Sequence, residues 1–186
     1  MEAMTMEQVN GIDTEGLRAA IGAIAADPAK GAVRFRVVTA WKGGTRSETR
    51  VDGYEIGGAA VARSFRFLAD EPLELFGTNV APNPQEYLMG ALGACMTVGW
   101  VAGASLRGIR LESLEIEIDG ALDLRGFLGI DASVAPGYET VRYRVSVRGD
   151  APASVLAEID AAVRRTSPNY FNLSRPIVLE GELVTG

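Results

Sequence analysis

The chain has 186 residues, 47% of them hydrophobic and 23% charged, which fits one folded domain with a core, or one protomer of an interleaved oligomer, and argues against chain-wide disorder. The net charge is −6, with acidic and basic residues mixed and no basic block, so nucleic acid is not an expected partner. There is no histidine and one cysteine, which excludes histidine triads, histidine-ligated zinc, cysteine-cluster metal sites and an intrachain disulfide, and no metal or cofactor is expected.

Residues 1–11 read as a loose tail. Asp13 is placed to cap a helix running to about Ala26, with Leu17, Ile21 and Ile24 on one face, ended by Asp27, Pro28 and Gly31. Residues 32–39 alternate, Val33, Phe35 and Val37 against Arg34 and Arg36, as a half-buried strand does. Lys42-Gly43-Gly44 marks a turn, and 46–56 and 61–68 read as two more strands of an antiparallel meander. After a loop over 70–83, Asn83, Pro84 and Glu86 spell the start of a helix that runs to about Leu106 and stops at Gly108. Strands follow at 109–122 and 138–147, separated by a long connection at 123–137. An amphipathic helix covers 151–165, with Val155, Leu156, Ile159 and Val163 on its buried side. Ser167-Pro168-Asn169 ends it, and 177–184 reads as a last strand. The order of elements is that of one α+β unit.

No charged residue lies between Glu86 and Arg107. At 1.5 Å per residue this run spans about 30 Å, enough to cross a bilayer or to form the buried central helix of a soluble protein. Burial is the expected outcome. The run is poor in Leu and Ile, is flanked by alternating strands, and has no second spanning segment to pair with, so no membrane is expected. A compact chain of this size has a radius of gyration of about 16 Å. A helix apolar on every face is then most easily covered by a second protomer, so a homodimer is expected. Gly90, Gly93, Gly99 and Gly103 would allow close approach between backbones, and tight packing within the chain is a sufficient alternative use for them.

Taken alone, Cys95 is a single cysteine in an apolar helix, and such residues are commonly buried and inert. It sits about three turns from the helix start, beyond the reach of the helix dipole. With no histidine in the chain, an arginine or lysine would have to activate it. A single thiol fits a reducing compartment. Residues 1–10 lack a basic start and apolar run, so no signal peptide is read and a cytoplasmic location is expected.

The stretch Asn83-Pro84-Gln85-Glu86-Tyr87-Leu88, followed by Ala91-Leu92-Gly93-Ala94-Cys95, resembles the signature of the OsmC/Ohr family. Arg107-Gly108-Ile109 with Leu111-Glu112 resembles the family's exit from that helix. Thr166-Ser167-Pro168-Asn169 and Asn172-Leu173-Ser174-Arg175-Pro176 resemble its second motif, where Cys-Pro stands. The resemblance implies an OsmC-like α+β fold, antiparallel strands around a long buried central helix in an intertwined homodimer. The OsmC-like domain would cover 32–186, leaving 1–31 as a tail and helix outside the common core. It also implies reduction of organic hydroperoxides by a thiolate at Cys95, with a glutamate and an arginine around it and a second cysteine forming a disulfide.

Two positions depart from that pattern. Ser167 stands at the resolving position and cannot form a disulfide. Gln85, ten residues before Cys95, stands where the family has its glutamate. Glu86 is adjacent, with the spacing of a capping box. Arg46 is the first candidate for the arginine and Arg50 the second, with a solvated strand face as the alternative role of both. The reading is a one-cysteine hydroperoxide reductase in which Cys95, Arg46, Gln85 and Glu86 form the site and an external thiol resolves the sulfenic acid. The alternative is an inactive dimer that binds an apolar small molecule in its interface cleft.

Overall fold

An Asn-Gly pair turns the chain just before its first helix. β1 (Gln8–Val9) pairs antiparallel with β2 (Ile12–Asp13), and Asn10 and Gly11 between them have φ of 52° and 77°. Both residues of a two-residue type I′ turn need that left-handed backbone, which Asn and Gly tolerate best. The structure, a computed structural model, describes residues 8–186. Most of the tail expected at 1–11 therefore lies outside the described residues, while its end is this hairpin, with Val9 buried. The described chain divides into two compact units, one ending at Leu88 and the next beginning at Met89.

In the first unit, α1 (Thr14–Ala26) starts where expected: the Asp13 carboxylate accepts from the Gly16 N–H at 3.0 Å. It ends at Asp27, and Pro28–Gly31 form one 3-10 turn. Its apolar side remains exposed at Ile21 and Ile24. The strand expected at 32–39 is divided into β3 (Val33–Phe35) and β4 (Val38–Trp41). Both pair antiparallel along β5 (Ser47–Ile56), β4 near its start and β3 near its end. β6 (Ala59–Ala69) pairs along β5 with a register shift between Val51 and Gly53. A Cβ at Gly53 would lie 2.5 Å from the Val61 carbonyl oxygen, so the strands approach there only because the residue is glycine. The meander forms as expected, but its half-buried face does not: Phe35 is 70% exposed and Val37 56%. Alternation shows that one face needs cover without showing which chain supplies it. Val9 is the one fully buried hydrophobic among the described residues of this unit; Thr14, Thr49 and Asp70 are the buried polar ones.

α2 (Pro84–Leu106) begins with a reciprocal cap. The Glu86 N–H donates to Asn83 Oδ1 at 2.9 Å, and the Asn83 N–H donates to Glu86 Oε2 at 2.7 Å. Losing such a cap costs about 1 kcal/mol. The helix closes at Gly108, φ 72°, with Ile109 N–H donating to Ala104 O and Gly108 N–H to Ser105 O, satisfying carbonyls the last turn leaves open. Helix length and a mean hydropathy of 1.4 would by themselves suffice for a membrane span. Within one chain, burial covers one stripe of α2: Leu92, Gly93, Met96, Trp100, Ala104 and Ser105. Val98, off that stripe, is 69% exposed.

In the second unit, β7 (Leu111–Gly120) and β8 (Val141–Gly149) form an antiparallel pair. Leu114, Ile116 and Ile118 from one, with Tyr143, Val145 and Val147 from the other, pack against the α2 stripe. The connection between them holds a short helix, α3 (Leu124–Phe127), capped by Asp123. α4 (Ala153–Thr166) buries Ile159 and Val163. A Cβ at Gly99 would lie 3.3 Å from Val163 Cγ2, and one at Gly103 would lie 3.3 Å from Ile159 Cγ2. These two glycines, four residues apart on α2, thus admit two branched side chains four apart on α4. Close approach at this pair serves packing inside the chain.

At the end of the chain α4 stops at Ser167 as expected, and Pro168 also opens a helix that was not expected, α5 (Pro168–Ser174), because proline at the first helical position has no N–H to leave unsatisfied. One expectation is corrected. The last strand expected at 177–184 does not form, and Val178, Leu179 and Leu183 are more than 80% exposed. A strand needs a neighbouring edge for its N–H and C=O groups, and no described residue pairs with this segment.

Candidate active site

Cys95 lies on α2 in the second unit and is half-buried. The Ser167 hydroxyl donates to its sulfur at 3.3 Å. Ser167 is itself 4% exposed and is held from several sides. Its N–H donates to Val163 O at 2.8 Å, ending α4, and its carbonyl accepts from the Phe171 N–H at 3.0 Å, starting α5. Its Oγ also accepts from the Tyr170 N–H at 3.4 Å. One turn before Cys95, the Ala91 carbonyl accepts from Asn169 Nδ2 at 2.9 Å. The Ser-Pro-Asn sequence therefore works as a unit: serine caps, proline starts the helix, and asparagine pins that helix to α2 beside the thiol. Residues 72 apart in sequence are joined in this way.

Behind Ser167, Tyr170 meets Tyr143 edge to face, with ring centroids 6.1 Å apart and planes at 89°. Burial pushes the Tyr143 hydroxyl above its ordinary pKa, and the neighbouring Tyr170 and Asp160 push the same way. The Tyr143 wall therefore stays neutral through the physiological range.

The other sequence candidates belong to the first unit. Arg46 is exposed and closes the turn after β4: its N–H donates to Gly43 O at 3.2 Å and its Nε to the same oxygen at 3.4 Å. Gly43 and Gly44 have φ of 94° and 59°, backbone that favours glycine. Arg50, on β5, pairs with Asp52 at 2.9 Å. Gln85 stands half-buried in the first turn of α2, and Glu86 is engaged in the cap. The structure thus joins Cys95 with Ser167 in one unit, while Arg46, Arg50, Gln85 and Glu86 belong to the other. Among the described residues, no group of three histidine, cysteine, aspartate or glutamate side chains could hold a metal ion.

Asp70 is a residue that sequence reasoning missed. It is 1% exposed, at the end of β6. Its carboxylate accepts from the hydroxyls of Thr45 and Thr78, both at 2.6 Å, and from the N–H groups of Thr78 and Val80 at 3.0 and 3.2 Å. It therefore ties the Arg46 turn to the loop that leads into α2. Hydrogen bonds from Thr45 and Thr78, helped by the Val80 and Glu71 N–H groups and opposed by burial, hold its carboxyl well below the usual carboxylate range. A lowered folded pKa gives stability that is present above about pH 4 and lost as pH falls below it. Asp70→Asn should melt at least about 4 °C below the parent at pH 7, because the new amide N–H₂ faces donors. The gap should narrow as pH falls towards 3. Thermal melts across pH check this; a gap that does not change with pH would show that the carboxylate charge is not what matters. The only sequence signal for it was an aspartate at the end of an apolar strand, before a Pro/Gly/Thr loop.

Residues 77–182, more than half of the chain, match the model of the family described as OsmC-like protein. The chain belongs to the OsmC-like family. The OsmC-like protein of Mycoplasma pneumoniae superimposes over 76% of this chain and 87% of its own, at 13% identity and a TM-score of 0.58. An OsmC-like protein of unknown function from Vibrio cholerae does so over 74% and 92%, at 14% identity and a TM-score of 0.54. At such identities the likeness is one of fold, and it makes this an OsmC-like α+β protein. No curated protein matches the chain. In OsmC-like terms, the matched span takes in both halves of the Cys95–Ser167 pair.

Proposed function

We propose that this OsmC-like chain reduces organic hydroperoxides with Cys95 as its one thiol and an external thiol as resolver. The observation that supports it is the Cys95–Ser167 pair: a half-buried sulfur held at 3.3 Å by a hydroxyl at the position where the family resemblance places a second cysteine. In the first step the Cys95 thiolate attacks the outer peroxide oxygen. An S–O bond forms, the O–O bond breaks, and the departing alkoxide takes a proton to leave as the alcohol. Cys95 is oxidised to the sulfenic acid and the hydroperoxide is reduced. Ser167 has no sulfur to offer, so an external thiol attacks the sulfenic sulfur, releasing water and leaving a mixed disulfide. A second external thiolate displaces Cys95 from it. Two external thiols and one hydroperoxide thus give one disulfide, one alcohol and one water. In this reading Arg46 is assigned as the cation that favours the thiolate, with Arg50 in reserve, and Gln85 as the group that orients the peroxide by hydrogen bonding. Glu86 acts through the helix cap. Stopped-flow oxidation with an alkyl hydroperoxide, followed by thiol titration, tests the reading. Cys95 should react faster than free cysteine, and an equal rate would sink it.

The working form in this proposal is a cytoplasmic homodimer, with 32–186 as the OsmC-like domain and 1–31 outside it. Uncovered apolar surface supports it: the sheet of the first unit exposes Phe35, Val37 and Phe65, α2 exposes Val98, and the C-terminal segment exposes Val178 and Leu179. A sheet without a core of its own is not stable alone. Light scattering at micromolar concentration should give twice the protomer mass; a monomeric mass would refute the dimer.

A further inference from the structure

Among the described residues, the Cys95 sulfur has one hydrogen-bond partner, the Ser167 hydroxyl at 3.3 Å. As a resolving group Ser167 is useless, because it has no sulfur. As a hydrogen-bond donor it is well placed. Cys95 lies in the uncharged stretch between Glu86 and Arg107, too far from the helix start for the dipole to act on it. A thiolate in such surroundings is favoured by the hydrogen bonds it accepts.

Three features make this hydroxyl a donor to the sulfur. Its oxygen already accepts from the Tyr170 N–H at 3.4 Å, so a lone pair serves the start of α5 and the proton is left for Cys95. A hydroxyl that accepts one hydrogen bond donates its own more strongly. Ser167 is 4% exposed, so water competes little for that proton, and a hydrogen bond to a charged acceptor is stronger than one to a neutral acceptor. The backbone around it is also fixed from two sides. The Ser167 N–H donates to Val163 O at 2.8 Å, and Asn169 Nδ2 donates to Ala91 O at 2.9 Å, one turn before Cys95. Capping α5 accounts for the lone pair of the hydroxyl but not for its contact with the sulfur.

We propose that Ser167 is a catalytic residue of the thiol site, whose hydroxyl donates to the Cys95 sulfur and favours the thiolate that attacks the peroxide. This role rests on the hydroperoxide reading. The proton stays on the Ser167 oxygen throughout the cycle. No bond to the serine forms or breaks; the sulfur electron pair forms the S–O bond as the O–O bond breaks. Asn169 is a positioning residue that holds the start of α5, and with it Ser167, against α2.

The test is the rate of Cys95 alkylation by iodoacetamide against pH, measured on the full chain. The chain has no other cysteine, so the profile belongs to this thiol alone. Ser167→Ala should move its midpoint up by about one unit, because the lost bond favoured the charged form. Below the midpoint, oxidation by an alkyl hydroperoxide should slow about tenfold. Ser167→Gly should move the midpoint equally; glycine starts a helix nearly as well as serine, so this variant covers the case in which alanine does not fold. Ser167→Thr keeps the hydroxyl and should keep the parent midpoint. An unmoved midpoint in a folded alanine or glycine variant, or a threonine variant that moves as far as alanine, would overturn the proposal. A lower melting temperature with the parent midpoint would leave Ser167 as a cap only. Alkylation involves no peroxide, so the two readings fail separately. A moved midpoint with peroxide oxidation no faster than that of free cysteine would sink the reductase and keep the hydrogen bond. An unmoved midpoint with fast peroxide oxidation would sink the role of Ser167 alone.

Discussion

Replacing Cys95 with serine should lower thiol-dependent hydroperoxide consumption at least about 100-fold, to the level of the no-protein background. The chain has no other cysteine, so no second residue can carry the sulfenic acid through the cycle. The fold should be nearly unaffected. Serine keeps the shape of the side chain, the position is only half-buried, and the new hydroxyl can still meet Ser167. A stability change within about 1 kcal/mol is expected. The measurement is consumption of an alkyl hydroperoxide with an external thiol as reductant, alongside sulfenic acid trapping by mass spectrometry and a thermal melt. Undiminished consumption by a folded Cys95→Ser protein would end the proposed function. Loss of activity with a collapsed melt would instead mark Cys95 as a packing residue.

Ser167→Cys should turn the one-cysteine site into a two-cysteine site. The Ser167 oxygen is already 3.3 Å from the Cys95 sulfur, and a small side-chain rotation would bring a sulfur there to the 2.03–2.05 Å of a disulfide. One equivalent of hydroperoxide should then yield an internal disulfide, seen as a loss of two hydrogens in the intact mass. The new thiol attacks the sulfenic sulfur and water leaves, so the first external thiol is no longer needed. The bridge would join positions 72 residues apart. Restricting a loop of that length in the unfolded chain stabilises by on the order of 4 kcal/mol, which raises the melting temperature by about 10 °C. The gain should vanish on reduction. Two thiols that both stay free after peroxide would mean that α5 does not hold position 167 in bonding geometry. That outcome would contradict the contact on which the proposed site rests.

Much of the local structure was legible from sequence because short-range chemistry determines it. Asn83, Pro84 and Glu86 announced the start of α2, and the cap they form is the one that spacing implied. Asp13 did the same for α1. The Asn10-Gly11 hairpin carries an equally local signal, although the polarity of residues 1–11 reads as a tail. At the thiol, the motif around Cys95 and the Ser-Pro-Asn motif pointed to each other through family resemblance. Periodicity alone would have left Cys95 as a packing residue, because nothing local to an apolar helix distinguishes a reactive cysteine from an inert one.

What the sequence by itself determined, then, is where α1 and α2 begin and end, which faces are apolar, and the OsmC-like family of the chain. Only the tertiary structure decided what those faces meet. It set Gly99 and Gly103 against Val163 and Ile159, brought the Ser167 hydroxyl to the Cys95 sulfur, and gathered four hydrogen bonds on Asp70. It also left residues 177–184 without a strand partner, although their composition suits one. The physical reason is common to all of these. Caps and turns are satisfied by atoms a few residues away, so their signal is written locally. A buried hydrogen bond or a strand pairing is satisfied by atoms distant in sequence, and its partner is known only once the chain has folded.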